Sequence, residues 1–115
     1  MSKTSTLTIH VVVSGDGVTN TYAPPGTPIT NSAAYDGGPH GVAVILGNNT
    51  LTPPTGATGI VIVPGALGAI TAKGIGGDTG IQLAAVRPSF FALASGQGAF
   101  VLTSSAADTI TIQWT

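Results

Sequence analysis

The sequence predicts an all-β fold: a β-sandwich, jelly-roll-like, of about eight short antiparallel strands. Three observations predict it. Seventeen Gly and eight Pro interrupt the chain every few residues. Both disfavour helix interiors, Gly through backbone entropy and Pro through a lost donor and a steric clash. Between the breaks lie short segments rich in Val, Ile, Thr and Phe, which suit a pleated surface. No window long enough for a helix carries a clean helical period.

The elements follow in chain order. From Thr6 to Val13, Leu7, Ile9, Val11 and Val13 alternate with Thr8, His10 and Val12, a period of two. Ser14-Gly15-Asp16-Gly17 reads as a tight turn, because Asp-Gly suits positive φ. Val18 to Ala23 returns as a second strand, which Pro24-Pro25-Gly26-Thr27-Pro28 ends. Ile29 to Pro39 is irregular. Gly41 to Leu46 is apolar throughout and is expected to be a strand buried on both faces. Gly47-Asn48-Asn49 is a turn and Thr50-Leu51-Thr52 a short edge. Gly59-Ile60-Val61-Ile62-Val63-Pro64 is a strand, and Ala69 to Lys73 another. Gly74 to Gly80 is a loose loop. Ile81-Gln82-Leu83, Ser89 to Leu93 and Ala99 to Thr103 follow. The last strand, Thr109 to Thr115, alternates without error, with Ile110, Ile112 and Trp114 facing inward. Short strands at this spacing are the pattern of a sandwich or jelly roll. Apolar segments run to both ends, so the reading is one domain over residues 1–115, with a short N-terminal arm at residues 1–6.

Composition narrows the function classes. The chain holds three basic and four acidic residues in 115, where a soluble monomer carries roughly a quarter charged residues. A hydrophobic fraction of 43% argues against disorder. Net charge is −1, which gives little steering toward nucleic acid or an anionic membrane, and neither is expected as a partner. There is no Cys, hence no disulfide framework or thiolate metal site. Met1-Ser2-Lys3-Thr4-Ser5-Thr6 has no secretory signature, and no apolar run approaches a membrane helix.

No constellation supports catalysis. The Gly74–Gly80 loop departs from the dinucleotide fingerprint at Thr79 and lacks the Gly-Lys-Ser/Thr of a phosphate loop. His10 sits mid-strand. His40 and Asp36 make at most two ligands, too few for a closed metal site. Asp16, Asp36, Asp78 and Asp108 all lie in or beside turns, where Asp caps local amides. The expectation is therefore no enzyme, no metal and no cofactor. Trp114, Tyr22 and Tyr35 could stack on sugars, but a Trp in an alternating strand is more often core. Arg87, beside Pro88 in an otherwise apolar stretch, reads either as an interface anchor or as a solvated loop residue.

Thr dominates the outward positions (Thr6, Thr8, Thr19, Thr21, Thr109, Thr111). Uncharged hydroxyl rows suit wet subunit contacts. With few charges to blunt sheet edges, the chain is expected to self-associate, with threefold symmetry the best single choice.

The C-terminal third carries a resemblance. Gly80-Ile81-Gln82-Leu83, Pro88-Ser89-Phe90-Phe91-Ala92-Leu93, Gly98-Ala99-Phe100-Val101-Leu102-Thr103-Ser104 and Ala106-Ala107-Asp108-Thr109-Ile110-Thr111-Ile112-Gln113-Trp114 resemble in rhythm the small all-β virion proteins of tailed bacteriophages, of the capsid decoration (cement) type. The resemblance implies a jelly roll or related sandwich, a homotrimer, and a role clamping neighbouring subunits of the major capsid protein or another virion protein. The location would then be the virion, with synthesis in the host cytoplasm. No fixed motif carries functional residues over. The candidate contacts are Ser2, Lys3, Thr4, Ser5 and Thr6 of the arm, Pro24 and Pro25 of the Pro-rich loop, and Arg87. The alternative is a carbohydrate- or receptor-binding β module of a phage tail or fibre.

Overall fold

A computed structural model describes the backbone at residues 5–7, 11–15, 18–22, 29–31 and 40–115, and the side chains of residues 41–115. Twelve strands lie in these segments: β1 (Ser5–Leu7), β2 (Val11–Gly15), β3 (Val18–Tyr22), β4 (Ile29–Asn31), β5 (His40–Val44), β6 (Gly47–Leu51), β7 (Gly59–Val63), β8 (Ile70–Lys73), β9 (Ile81–Leu83), β10 (Ser89–Ala92), β11 (Phe100–Ser104) and β12 (Asp108–Trp114). No helix occurs among the described residues.

The last eight strands form two four-stranded sheets, in the orders β10-β7-β12-β5 and β6-β11-β8-β9. Their pairing is nested. β5 pairs with β12, β6 with β11, β7 with β10 and β8 with β9, every pair antiparallel. Successive pairs fall in opposite sheets, as though one long hairpin had been wound into a double layer. Two further antiparallel pairings, β12 with β7 and β11 with β8, join the pairs within each sheet. This is the strand order of a jelly roll.

One apolar cluster fills the space between the layers. Val44, Ile60, Ile62, Ile110, Ile112 and Trp114 come from the first sheet, and Leu51, Ile70, Leu83 and Leu102 from the second. β12 shows why the sequence alternates. Ile110, Ile112 and Trp114 are buried while Thr109 and Thr111 face out, so a one-residue slip would exchange the whole apolar set for threonines. The Phe100 ring meets Trp114 edge-on, with centroids 6.3 Å apart. Thr115 closes the strand end: its carbonyl accepts the Thr58 and Gly59 amides at 2.7 and 3.2 Å.

Two glycines are required by close approach. Gly80 has φ +75, and a Cβ there would lie 2.5 Å from the Ala72 carbonyl of β8. At Gly65, the Asp108 carboxylate occupies the place where a Cβ would stand.

Three local expectations are corrected. The Gly41–Leu46 segment is not buried on both faces. Among the described residues β5 pairs only with β12, and its faces differ: Val44 is buried while Gly41 and Ala43 on the outer face are exposed. The apolar run also continues beyond the strand into a two-residue link, 45–46. Second, Gly47-Asn48-Asn49 is not a turn but the start of β6, in register with Ser104, Thr103 and Leu102. The turn precedes it and is held by Asn49, whose Oδ1 accepts the Ile45 amide at 2.9 Å and whose Nδ2 donates to the Ile45 carbonyl at 3.0 Å. Third, Ile29–Asn31, expected as irregular, is strand β4 and pairs with β1. The β2–β3 hairpin, Gly15 opposite Val18, has the register the Asp-Gly turn predicts. Asp16 and Gly17 themselves lie outside the described residues.

Candidate functional site

The ladder registers place four connections at one end of the sandwich. Val44 stands opposite Asp108, Ser104 opposite both Gly47 and Ile70, Ile70 opposite Leu83, and Ser89 opposite Ile62. The links 45–46, 64–69, 84–88 and 105–107 therefore crown the same edge of the double layer. Three of the four carry exposed aliphatic side chains: Ile45 at 65%, Leu46 at 69%, Leu67 at 73% and Val86 at 65% exposure. Single exposed aliphatics are ordinary, but a group gathered on one end marks an interaction surface.

Hydrogen bonds tie the crown loops together. The Leu67 amide donates to Asp108 Oδ2 at 3.1 Å. The Val86 amide donates to the Pro64 carbonyl at 3.1 Å, and the Ile45 amide to Asn49 as described above. Ala69 and Ser105 tie two loops together: the Ala69 amide donates to Ser105 Oγ at 2.8 Å, and the Ser105 amide to the Ala69 carbonyl at 3.1 Å. The backbones at Ile45, Leu67 and Val86 are thus each held by a hydrogen bond, which reduces the ordering left for a binding partner to impose.

Val86 adds a strained conformation. Its φ is +54, the left-handed region, which disfavours a β-branched residue by roughly 1–2 kcal/mol. Strain of this kind persists where the surroundings over-determine it, and it gathers at working surfaces. Asn tolerates this region far better. Val86→Asn is expected to raise folding stability by about 1 kcal/mol, read as a higher denaturant midpoint at unchanged slope. A lowered midpoint would show that the Val86 side chain supports the fold instead.

Of the contact residues drawn from the sequence, Arg87 stands exposed next to Val86 on the crown. Ser5 and Thr6 lie in β1, where the backbone alone is described, and Ser2, Lys3, Thr4, Pro24 and Pro25 lie outside the described residues. Asp108 serves as a local cap, its carboxylate accepting the Leu67 and Thr109 amides, and Asp78 accepts the Ile75 amide at 3.0 Å. Among the described residues no three His, Asp or Glu side chains gather where they could hold a metal ion. Trp114 is buried, so it offers no stacking face. Sequence reading missed the crown because its members are spread over residues 45–86 and only the nested topology brings them together. No family model, curated protein or solved structure matches this chain.

Proposed function

We propose that this protein is a structural virion protein of the capsid decoration type, which docks its apolar loop crown onto a surface formed where neighbouring capsid subunits meet. The observation that carries the reading is the crown: exposed Ile45, Leu46, Leu67 and Val86 at one end of the sandwich, with the Ile45, Leu67 and Val86 amides hydrogen-bonded in place. The scarcity of charge supports it, since a surface this poor in ionisable groups is suited to being covered. So does the resemblance of residues 80–114 to small phage virion proteins. A decoration protein that binds only the assembled shell stabilises it by mass action, and needs no reaction of its own.

The chemistry sets the test. Docking driven by aliphatic side chains responds weakly to salt, whereas docking through ion pairs weakens steeply as screening rises. Purified protein is added to capsids of the encoding phage stripped of accessory proteins, and occupancy is read by quantitative mass spectrometry at low and high ionic strength. The expected result is regular stoichiometric occupancy that survives high salt, with capsids more resistant to heat. No binding to capsids at either salt concentration would overturn the reading.

A further inference from the structure

The opposite end of the sandwich has exposed aliphatic side chains of its own, Ile75 and Ile81, but there they stand beside a cleft. There the β8–β9 loop (74–80) and the β10–β11 loop (93–99) border a cleft of about 410 Å³. Phe91, Leu93 and Phe100, half-buried and packed against the core, provide its apolar floor. Lys73, Asp78 and Gln97 provide its polar groups. A few polar groups around an aromatic floor, in a volume of this order, is the usual make-up of a small-ligand site.

The polar groups select the ligand class. They comprise one ammonium, one carboxylate and one amide, so the rim sums to no net charge. Their hydrogen bonds run to nearby backbone rather than to one another: Lys73 Nζ to the Gly76 carbonyl at 3.5 Å, Asp78 Oδ2 from the Ile75 amide, and Gln97 Nε2 to the Gly98 carbonyl at 3.2 Å. The Lys73 ammonium, the Asp78 carboxylate and the Gln97 amide retain further donor and acceptor capacity. Asp78 is exposed and Lys73 half-buried, and with one charge of each sign on the rim neither an anion nor a cation is favoured over an uncharged ligand. The lining thus suits an uncharged ligand with an apolar face for the phenyl rings and several hydroxyls for these three side chains. A saccharide ring supplies both, with C–H groups on one face and hydroxyls at its edge. Gln97 also borders a second depression of about 300 Å³ lined by Pro53, Pro54 and Ser95, so the surface offers room for more than one ring.

We propose that this cleft binds a neutral oligosaccharide through the Phe91 and Phe100 rings and the Lys73, Asp78 and Gln97 side chains. The site lies at the end away from the crown and stands independently of capsid docking.

The test titrates the isotope-labelled full chain with the trisaccharides of β-linked glucose, α-linked glucose, N-acetylglucosamine and mannose, reading backbone amide shifts by NMR. At least one sugar is expected to move the amides of residues 72–81 and 91–100 at millimolar concentration while those of Ile45, Leu67 and Val86 stay still. Gln97→Ala, at an exposed loop position, and Lys73→Ala should each weaken that binding by about five- to tenfold, with thermal unfolding unchanged for Gln97→Ala. Occupancy on capsids should be the same for Gln97→Ala as for the parent, which separates this site from the crown. The proposal is overturned if none of the four sugars moves the cleft amides, if free leucine moves them as strongly as any sugar, or if both alanine variants bind as tightly as the parent.

Discussion

Trp114→Ala is expected to lower folding stability by about 3–5 kcal/mol, the range for removing a large aromatic side chain from a core. Three features place Trp114 at the upper end of what single substitutions do. It is 7% exposed, it stands in register with Ile60 of β7, and it receives the Phe100 ring edge-on across the layers. Its removal leaves a void between the two sheets at the end where Thr115 closes against Thr58 and Gly59. A domain of this size has about 5–15 kcal/mol in total, so the variant should sit near the edge of unfolding at ambient temperature. Denaturant titration followed by far-ultraviolet circular dichroism measures the loss without relying on the deleted fluorophore. A loss below about 1 kcal/mol would contradict burial between packed sheets. Trp114→Phe, which keeps a ring and most of the area, should recover more than half of the deficit.

The strands that the sequence disclosed best are those whose fate is decided locally. β12 announces itself because polar and apolar residues alternate from Thr109 to Thr115 and the sheet needs that period. β7 does so because an aliphatic run bounded by Gly59 and Pro64 is too short for a helix. β5 misled for the opposite reason. In Val42-Ala43-Val44-Ile45-Leu46 nothing local says where the strand stops, and an unbroken apolar run reads as burial. The tertiary fold decides otherwise: only one face of β5 meets the core, and the chain crosses to the other sheet within two residues, which leaves Ile45 and Leu46 exposed. Gly47, at φ +98, gives the link its sharp exit into β6, and Asn49 clamps it from inside the next strand. Asn48 and Asn49 looked like turn residues because one of them does make turn hydrogen bonds, though from a strand position.

The candidate site was less legible, and the cause is topological. Leu67 and Val86 are unremarkable as isolated loop residues, nineteen positions apart by their numbers. They become neighbours of Ile45 and Leu46 in function only through the nested pairing, which carries every second connection to the same end. Arg87 was the one sequence signal near this surface, singled out as a lone charge in an apolar stretch. At the other end, Asp78 had an adequate local explanation as a turn residue, and no pattern in the sequence singled out Lys73 or Gln97. Asp78 does cap its own turn, as its place beside glycines implies, and the same side chain also faces the cleft.

The crown gives the second large effect. A variant carrying Leu46→Asn, Leu67→Asn and Val86→Asn together is expected to bind capsids at least about a hundredfold more weakly than the parent while folding as well or better. The fold should tolerate it because these side chains are 65–73% exposed, and substitutions at such positions change stability by about 0.5 kcal/mol or less, with strain relieved at Val86. Binding should not tolerate it. Burying an exposed aliphatic side chain contributes roughly 1.5–3 kcal/mol, and polar replacements would enter an apolar contact without partners. Even with half of that realised at each position, three sites sum to about 3 kcal/mol, a factor of a hundred or more. Ile45 is retained so that the link clamped by Asn49 is undisturbed. Arg87→Ala serves as the charge control: if docking is apolar, it should shift affinity by less than about fivefold. Equal capsid occupancy for the triple variant and the parent would remove the crown from the mechanism. Flotation of the parent, but not the triple variant, with neutral phospholipid vesicles would instead give the crown a bilayer partner.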